Sequence, residues 1–205
     1  MSLADYTGVR DAIRSDWLHR TDISTAQCDD FIDLFESDFN ATVRVREMEQ
    51  QTSLVSTAGY LLHPTNWLGW KDIRATDGGS VYNLQPVTDE VAVERTFGES
   101  GGATPRFYKV TGSRTYLYPA NSAATVSVKY YEGVALSAGT NWLLTRFPGA
   151  YLYGGLLQAS AWVQDDPRIP LWQAAYEQVM QKVKADSNKQ SFSGQVLRMN
   201  AERVV

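Results

Sequence analysis

The sequence predicts an α+β fold: a helical bundle made from N- and C-terminal helices, with an inserted antiparallel β-sheet region and a flexible C-terminal arm. Three observations predict it. Apolar residues recur at helical spacing near both ends of the chain, strand-like alternation fills the middle, and the C-terminal end is polar. We therefore assign bundle helices to 1–49 and 134–184, a β-rich insertion to 50–133, and the arm to 185–205.

Two helices are predicted before residue 50. The first spans 3–17 and places an apolar stripe at steps of three and four residues. The second begins after Ser24, because Ser24 and Gln27 form a capping-box pattern. Its apolar face consists of Cys28, Phe31, Phe35 and Phe39. Asp29, Asp30 and Asp33 lie on the opposite side, which is typical of a solvated helix face.

The middle of the chain has the residue pattern that is typical of strands and tight turns. The segment 67–73 alternates so that Trp67 and Trp70 are expected on opposite faces. A short helix is predicted over 88–95. A hairpin is expected around Gly112, between strands at 107–110 and 115–118. The segment 125–132 alternates cleanly, with Val126, Val128 and Tyr130 on one face.

Helical spacing returns in the C-terminal third. Pro148 is placed for the first turn of a helix that runs to Val163 and is apolar nearly all round, so it should be the most buried element. Asp166 is predicted to cap the next helix, with Pro167 at its first position. The apolar seam of that helix is Ile169, Trp172, Tyr176, Val179 and Val183. From Ala185 onward we expect an extended or conditionally ordered tail.

Composition and charge exclude several function classes. Of 205 residues, 43% are hydrophobic and 20% charged, so a packed core is expected. The net charge of -4 argues against a diffuse basic nucleic-acid binder. The N-terminus has no secretory pattern, and the uncharged stretch 147–164 is typical of a core helix, so we expect an intracellular protein that does not span a membrane. The acidic first 50 residues predict a solvated face or a surface that meets a basic partner or repels phosphate.

No motif predicts catalysis. The glycine-rich segment 98–105 lacks the Gly-Lys-Ser/Thr ending of a phosphate-binding loop, and the adjacent acids Asp165 and Asp166 are better explained by a helix cap. Cys28 lies on an apolar stripe, which indicates a structural thiol. His19 and His63 have no local catalytic partner. We therefore predict no enzyme, no catalytic residue, no cofactor and no metal site.

Aromatic residues make up 12% of the chain, with six Trp and eleven Tyr. They could fill the core, stack on sugars or bases, or anchor protein interfaces. Because alternation should turn one member of each strand pair outward, we favour burial at a subunit interface. A carbohydrate-binding accessory module that uses aromatics of the sheet is the alternative interpretation.

The segment 125–183 resembles the C-terminal half of tailed-bacteriophage head-to-tail connector proteins, also called adaptor or head-completion proteins. The resemblance depends on apolar spacing rather than on a catalytic signature. The residues that carry it are Tyr130–Tyr131, Trp142–Leu143–Leu144, Pro148–Gly149–Ala150, Asp165–Asp166 and Trp172. The first half is compatible: Leu62–His63–Pro64 stands where the family often has Leu-Pro.

The resemblance implies a structural subunit of the virion neck, made in the host cytoplasm. Typically twelve copies form a ring that docks under the portal protein, with a tail, nozzle or tail-completion protein below. DNA only passes through the channel of such a ring. The C-terminal arm grips the portal, and its order is expected to come from binding. The arm residues we expect to bind the portal are Phe192, Val196, Leu197, Arg198, Met199 and Arg203.

Overall fold

The computed structural model describes residues 3–20, 22–77, 79–88, 103–136, 139–164 and 166–192. The chain divides into two compact units. One, here called the helical unit, consists of Met1–Glu47 and Ala135–Val205. The other, the β unit, is Met48–Val134. Helices and antiparallel and parallel strand pairs are both present, so the predicted α+β class is confirmed.

Helix α1 spans Tyr6–Asp11. Asp5 is its N-cap, since Asp5 Oδ1 accepts a hydrogen bond from the Gly8 N–H at 2.8 Å. The predicted α-helix does not continue regularly to Trp17. Ala12–Trp17 is π-helical, and the Leu18 N–H donates to the Ile13 carbonyl five residues back. The cap of the next helix is as predicted, because α2 spans Thr25–Thr42 and begins with the Ser24–Gln27 capping box.

The C-terminal helices are α3 at Trp142–Arg146, α4 at Pro148–Val163 and α5 at Ile169–Phe192. Pro148 occupies the first turn of α4, as predicted. Seven residues of α4 are buried, and both α2 and α5 pack on it. This confirms α4 as the centre of its unit.

Helix α5 differs from the prediction at both ends. It begins at Ile169 rather than Pro167, because residues 167 and 168 form a turn. Asp166 Oδ1 accepts the Arg168 N–H at 2.8 Å, and the same carboxylate pairs with the Arg168 guanidinium. The helix also continues to Phe192, into the segment expected to be an extended or conditionally ordered tail from Ala185. Ser187 explains part of this extension, since it is buried and its Oγ accepts the Arg46 N–H at 3.0 Å.

The β unit contains two four-stranded sheets rather than the single sheet we expected. The strands are β1 Glu49–Val55, β2 Tyr60–Leu62, β3 Trp67–Asp77, β4 Ser80–Asn83, β5 Gln85–Pro86, β6 Phe107–Thr111, β7 Arg114–Tyr118 and β8 Thr125–Glu132. The first sheet has the order β1-β8-β3-β4, and all its neighbouring strands are antiparallel. The second has the order β2-β7-β6-β5, and its β5–β6 pair is parallel.

One apolar core serves both sheets. Val126 and Val128 of β8 are fully buried there, which confirms the predicted alternation. The hairpin at Gly112 is also confirmed: β6 and β7 pair across a two-residue turn in which Gly112 has φ 58°. Among the residues that the structure describes, those buried in this core are Leu61, Ile73, Ala75, Leu84, Leu117, Val126, Val128 and Tyr130.

The two tryptophans of β3 lie against the same core, so their predicted separation is wrong. Strand pairing between β3 and β8 shifts register twice, between Trp67 and Gly69 and between Trp70 and Asp72. Such irregularities break the two-residue alternation on which the prediction depended. Both rings pack on the core, with their centroids 5.2 Å apart. The predicted helix over 88–95 lies almost wholly outside the described residues.

Candidate assembly surfaces

The predicted portal-binding arm lies at the end of the described chain. Phe192 is the last residue of α5, and its side chain is not described. Val196, Leu197, Arg198, Met199 and Arg203 lie outside the described residues. The structure therefore describes the segment of the predicted arm only as far as the end of α5.

That point is fixed to the rest of the helical unit by charge as well as by packing. Arg146, the last residue of α3, donates to Glu47 Oε1 at 3.0 Å and also binds the Asp186 carboxylate of α5. The Glu47 side chain is only 9% exposed, and Arg146 is an ion-pair partner of its carboxylate. A groove of about 400 Å³ runs alongside, between the chain after α2 and the last turns of α5. Its lining residues are Thr42, Val43, Arg44, Val45, Lys184, Ser187 and Asn188.

A polar network joins three helices inside the same unit. The Tyr151 hydroxyl of α4 donates to Glu36 Oε1 of α2 at 2.7 Å and accepts from Asn141 Nδ2 at 2.5 Å. Asn141 also caps α3, since its Oδ1 accepts the Leu144 N–H at 2.9 Å. Burial raises the pKa of Glu36, and burial together with the Glu36 charge raises the pKa of Tyr151. The network fixes the relative positions of α2, α3 and α4.

Three large apolar side chains of the helical unit are exposed. Trp162, in the last turn of α4, is 52% exposed, and Leu171, in the first turn of α5, is 65% exposed. Leu34 of α2 is also exposed.

Charge is separated between two helices of the unit. Helix α2 contains five acidic residues and neither Lys nor Arg. The second half of α5 presents exposed lysines at Lys182, Lys184 and Lys189. The helical unit therefore has an acidic helix and a lysine-bearing helix end.

The aromatic residues of the β unit form contacts within the chain. The His63 ring lies 3.7 Å from the Trp67 ring, and Trp70 Nε1 donates to Thr115 Oγ1 at 2.7 Å. His63 Nε2 lies 2.9 Å from the same oxygen, and burial lowers the pKa of His63. Every aromatic residue on a described strand is at least partly buried.

The residues that were candidates for catalysis or binding lie in positions that structural contacts explain, where the structure describes them. Cys28 is buried, and burial raises the pKa of its thiol, which opposes formation of a nucleophilic thiolate. Asp166 pairs with Arg168, while Asp165 lies outside the described residues. His19 adopts φ 52° after the π-helical turn. Only the end of the segment 98–105 is described, from Ala103 onward.

Two kinds of feature are absent from the described residues. No group of three or more His, Cys, Asp or Glu residues is arranged to hold a metal ion. Among the same residues, no helix has the length and apolar character that crossing a membrane requires.

A known protein family matches most of the chain. No curated protein matches the chain. The family described as SU10 adaptor protein matches residues 4–199, which include both units and most of the expected arm. This agrees with the connector family that the C-terminal half resembles. The chain therefore belongs to the SU10 adaptor protein family, a family of bacteriophage structural adaptors.

Proposed function

We propose that this chain forms the ring that connects the portal to the tail, completes the head and keeps the DNA exit channel continuous. The observation that carries the proposal is the family match over residues 4–199. The ring has twelve copies and lies in the neck of the virion, with a tail, nozzle or tail-completion protein below it. The protein is made in the host cytoplasm, and DNA only passes through the channel.

In this proposal the helical unit is a bundle that packs side by side with its copies. The tight contact of α2, α4 and α5 supports a rigid subunit. Neighbouring copies would cover the exposed Trp162 and Leu171. The acidic α2 and the lysines of α5 would attract each other between copies and thereby favour one orientation.

The arm that follows α5 binds the portal. Phe192, Val196, Leu197 and Met199 supply apolar anchors, and Arg198 and Arg203 pair with acidic groups of the portal. The contacts of Asp186 and Ser187 support this role, because they give the arm a fixed point of departure from the helical unit.

The arm is tested by removing residues 193–205. Deletion from 186 would be a poorer test, since it also removes Asp186 and Ser187, which contact the folded unit. We expect the truncated protein to retain its circular dichroism spectrum and thermal unfolding midpoint but to lose binding to the portal protein of the same phage. Leu197→Asp should weaken portal binding, whereas its control Gln195→Asp should change it little. Head completion by the truncated protein at the wild-type rate would contradict the proposal.

A further inference from the structure

The first sheet of the β unit ends in two strands that each pair on one side only, within the part of the chain that the structure describes. β1 pairs with β8, and β4 pairs with β3. An unpaired edge presents N–H and C=O groups that can bind another strand. Folded proteins usually protect such edges with lysine, proline, bulges or very short strands.

The two sheets differ in how their edge strands are protected against pairing with another strand. The edge strands of the second sheet are short: β2 has three residues, and β5 has two residues and ends in Pro86. In the first sheet β1 has seven residues and β4 has four, and neither contains Pro, Gly, Lys or Arg. The β1–β8 register also runs without a shift. The first sheet therefore keeps two edges that are competent to pair.

Each of these edges exposes one valine, and both valines lie on the same face. Val55 of β1 and Val81 of β4 are each 61% exposed. Their cross-strand partners, Thr125 and Thr76, are exposed as well. Since opposite residues in a ladder share a face, both valines lie on the side of the sheet away from its core.

Strand direction makes the two edges complementary. Every neighbouring pair in this four-stranded sheet is antiparallel, so β1 and β4 run in opposite directions. A β1 strand from a second copy can therefore continue the antiparallel pattern beside β4. Repetition of this contact is heterologous, and a heterologous contact closes into a ring when its rotation permits.

We infer that β1 of one copy pairs antiparallel with β4 of the next, with Val55 opposite Val81. In this register Leu54 lies opposite Tyr82, and both side chains are on the core face, because Leu54 packs on the core and Tyr82 pairs with the buried Ala75. Apolar residues then meet on both faces of the new ladder. The inference rests on the proposed ring and specifies one contact between its copies.

A double cysteine variant, Val55→Cys with Val81→Cys, tests this register. Directly opposite residues have Cβ atoms about 4.5–5.5 Å apart, which a modest adjustment brings within disulfide range. We expect mild oxidation in the presence of the portal protein to give a ladder of covalent multimers that a thiol reduces. Cys28 is buried and should not contribute. Each single variant should give no ladder.

The matched control is Leu62→Cys with Val81→Cys. Leu62 is also 61% exposed but lies on β2 of the second sheet, so this pair should give no ladder. Covalent dimers from Val55→Cys alone would show symmetric β1–β1 pairing and overturn the inference.

Portal binding, measured in parallel by light scattering and electron microscopy, separates the two proposals. Portal-bound rings without the 55–81 cross-link overturn the edge pairing and leave the connector role intact. A 55–81 ladder from protein that does not bind the portal supports the edge pairing and contradicts the connector role. If neither the 55–81 cross-link nor portal-bound rings are observed, the edge pairing and the connector role are both overturned.

Discussion

The ring of Phe35 in α2 occupies the space where Gly154 of α4 has no side chain. A Cβ on Gly154 would lie 2.9 Å from Cγ of Phe35 and closer still to two other ring carbons. Gly155 stands in the same relation to Ile13, whose Cδ1 would lie 2.5 Å from an added Cβ. The two glycines therefore allow α4 to approach its neighbours closely.

We expect Gly154→Ala to lower the free energy of unfolding by about 1–3 kcal/mol, because the added methyl group overpacks a buried contact. Alanine is otherwise the better helix former by about 1 kcal/mol, so a loss of stability would identify the contact with Phe35 as the cause. Urea unfolding followed by circular dichroism measures the free energy of unfolding of the variant and of the wild type.

Gly149→Ala is the control for that substitution. It is also in α4, but its added Cβ would lie 3.2 Å from a Val179 methyl group, a contact that a small movement relieves. Its effect on stability should be clearly smaller. Equal stability of Gly154→Ala and the wild type would show that the Phe35 ring moves aside at little cost.

Glu36 should make the helical unit less stable as the pH rises. Burial raises its pKa above the ordinary value of 4.5, so the folded state binds a proton more tightly than the unfolded chain does. The resulting stabilisation is full below pH 4.5 and is lost as the pH rises through the pKa of the folded state.

Glu36→Gln removes this dependence and keeps an oxygen that accepts the Tyr151 hydroxyl. Relative to the wild type, the variant should therefore gain stability between pH 4 and pH 7. Asp38→Asn is a suitable control, because Asp38 is an exposed residue of the same helix. Parallel stability curves for Glu36→Gln and the wild type would contradict the prediction.

His63 should make the β unit less stable as the pH falls, which is the opposite of the effect of Glu36. Burial lowers its pKa below the ordinary 6.5, so the unfolded chain binds a proton more readily than the folded protein. The stability is full above pH 6.5 and falls as the pH drops toward the pKa of the folded state. A neutral imidazole also suits the site, because Nε2 can then accept from the Thr115 hydroxyl, which already accepts from Trp70.

His63→Gln should reduce the loss of stability between pH 6.5 and pH 5, measured by thermal unfolding with tryptophan fluorescence. His19→Gln, at the other histidine, should leave that loss in place. If both variants keep the full wild-type loss, another group must account for it.

Local patterns in the sequence predicted local structure well. The Ser24–Gln27 cap, the Pro148 helix start and the Gly112 turn each depend on neighbouring residues, and all three are present. Strand order depends on contacts distant in the sequence, so the division into two sheets was not predictable from alternation. The bulges that bring Trp67 and Trp70 together are set by the partner strand β8 and have no signature of their own.

For the candidate surfaces too, local sequence predicts some features, while others depend on contacts distant in the sequence. The arm residues were predicted from composition and from the family resemblance. The pairing-competent edges were not, because a strand becomes an edge only once its neighbours are known. The extension of α5 was also missed: Ser187 has weak helix propensity, and its contact with Arg46, 141 residues away in the sequence, stabilises the helix there.

Arg146 is expected to hold the C-terminal half of α5 in place. Arg146→Ala leaves Glu47 almost buried and without this cation, and it also removes one partner of Asp186. An unpaired buried charge costs about 1–3 kcal/mol or more, but Arg146 is 38% exposed and water will offset part of that, so we expect a loss of about 1–2 kcal/mol. Hydrogen exchange should show faster exchange of amides over 183–189.

Arg20→Ala provides the matched comparison. Arg20 forms a short ion pair with Asp22, but both side chains are more than a third exposed, so its loss should leave the free energy of unfolding almost unchanged. Arg146→Lys keeps the charge but not the fork that reaches two carboxylates, and should fall between the wild type and Arg146→Ala. Unchanged exchange over 183–189 in Arg146→Ala would mean that packing alone fixes the point from which the arm departs.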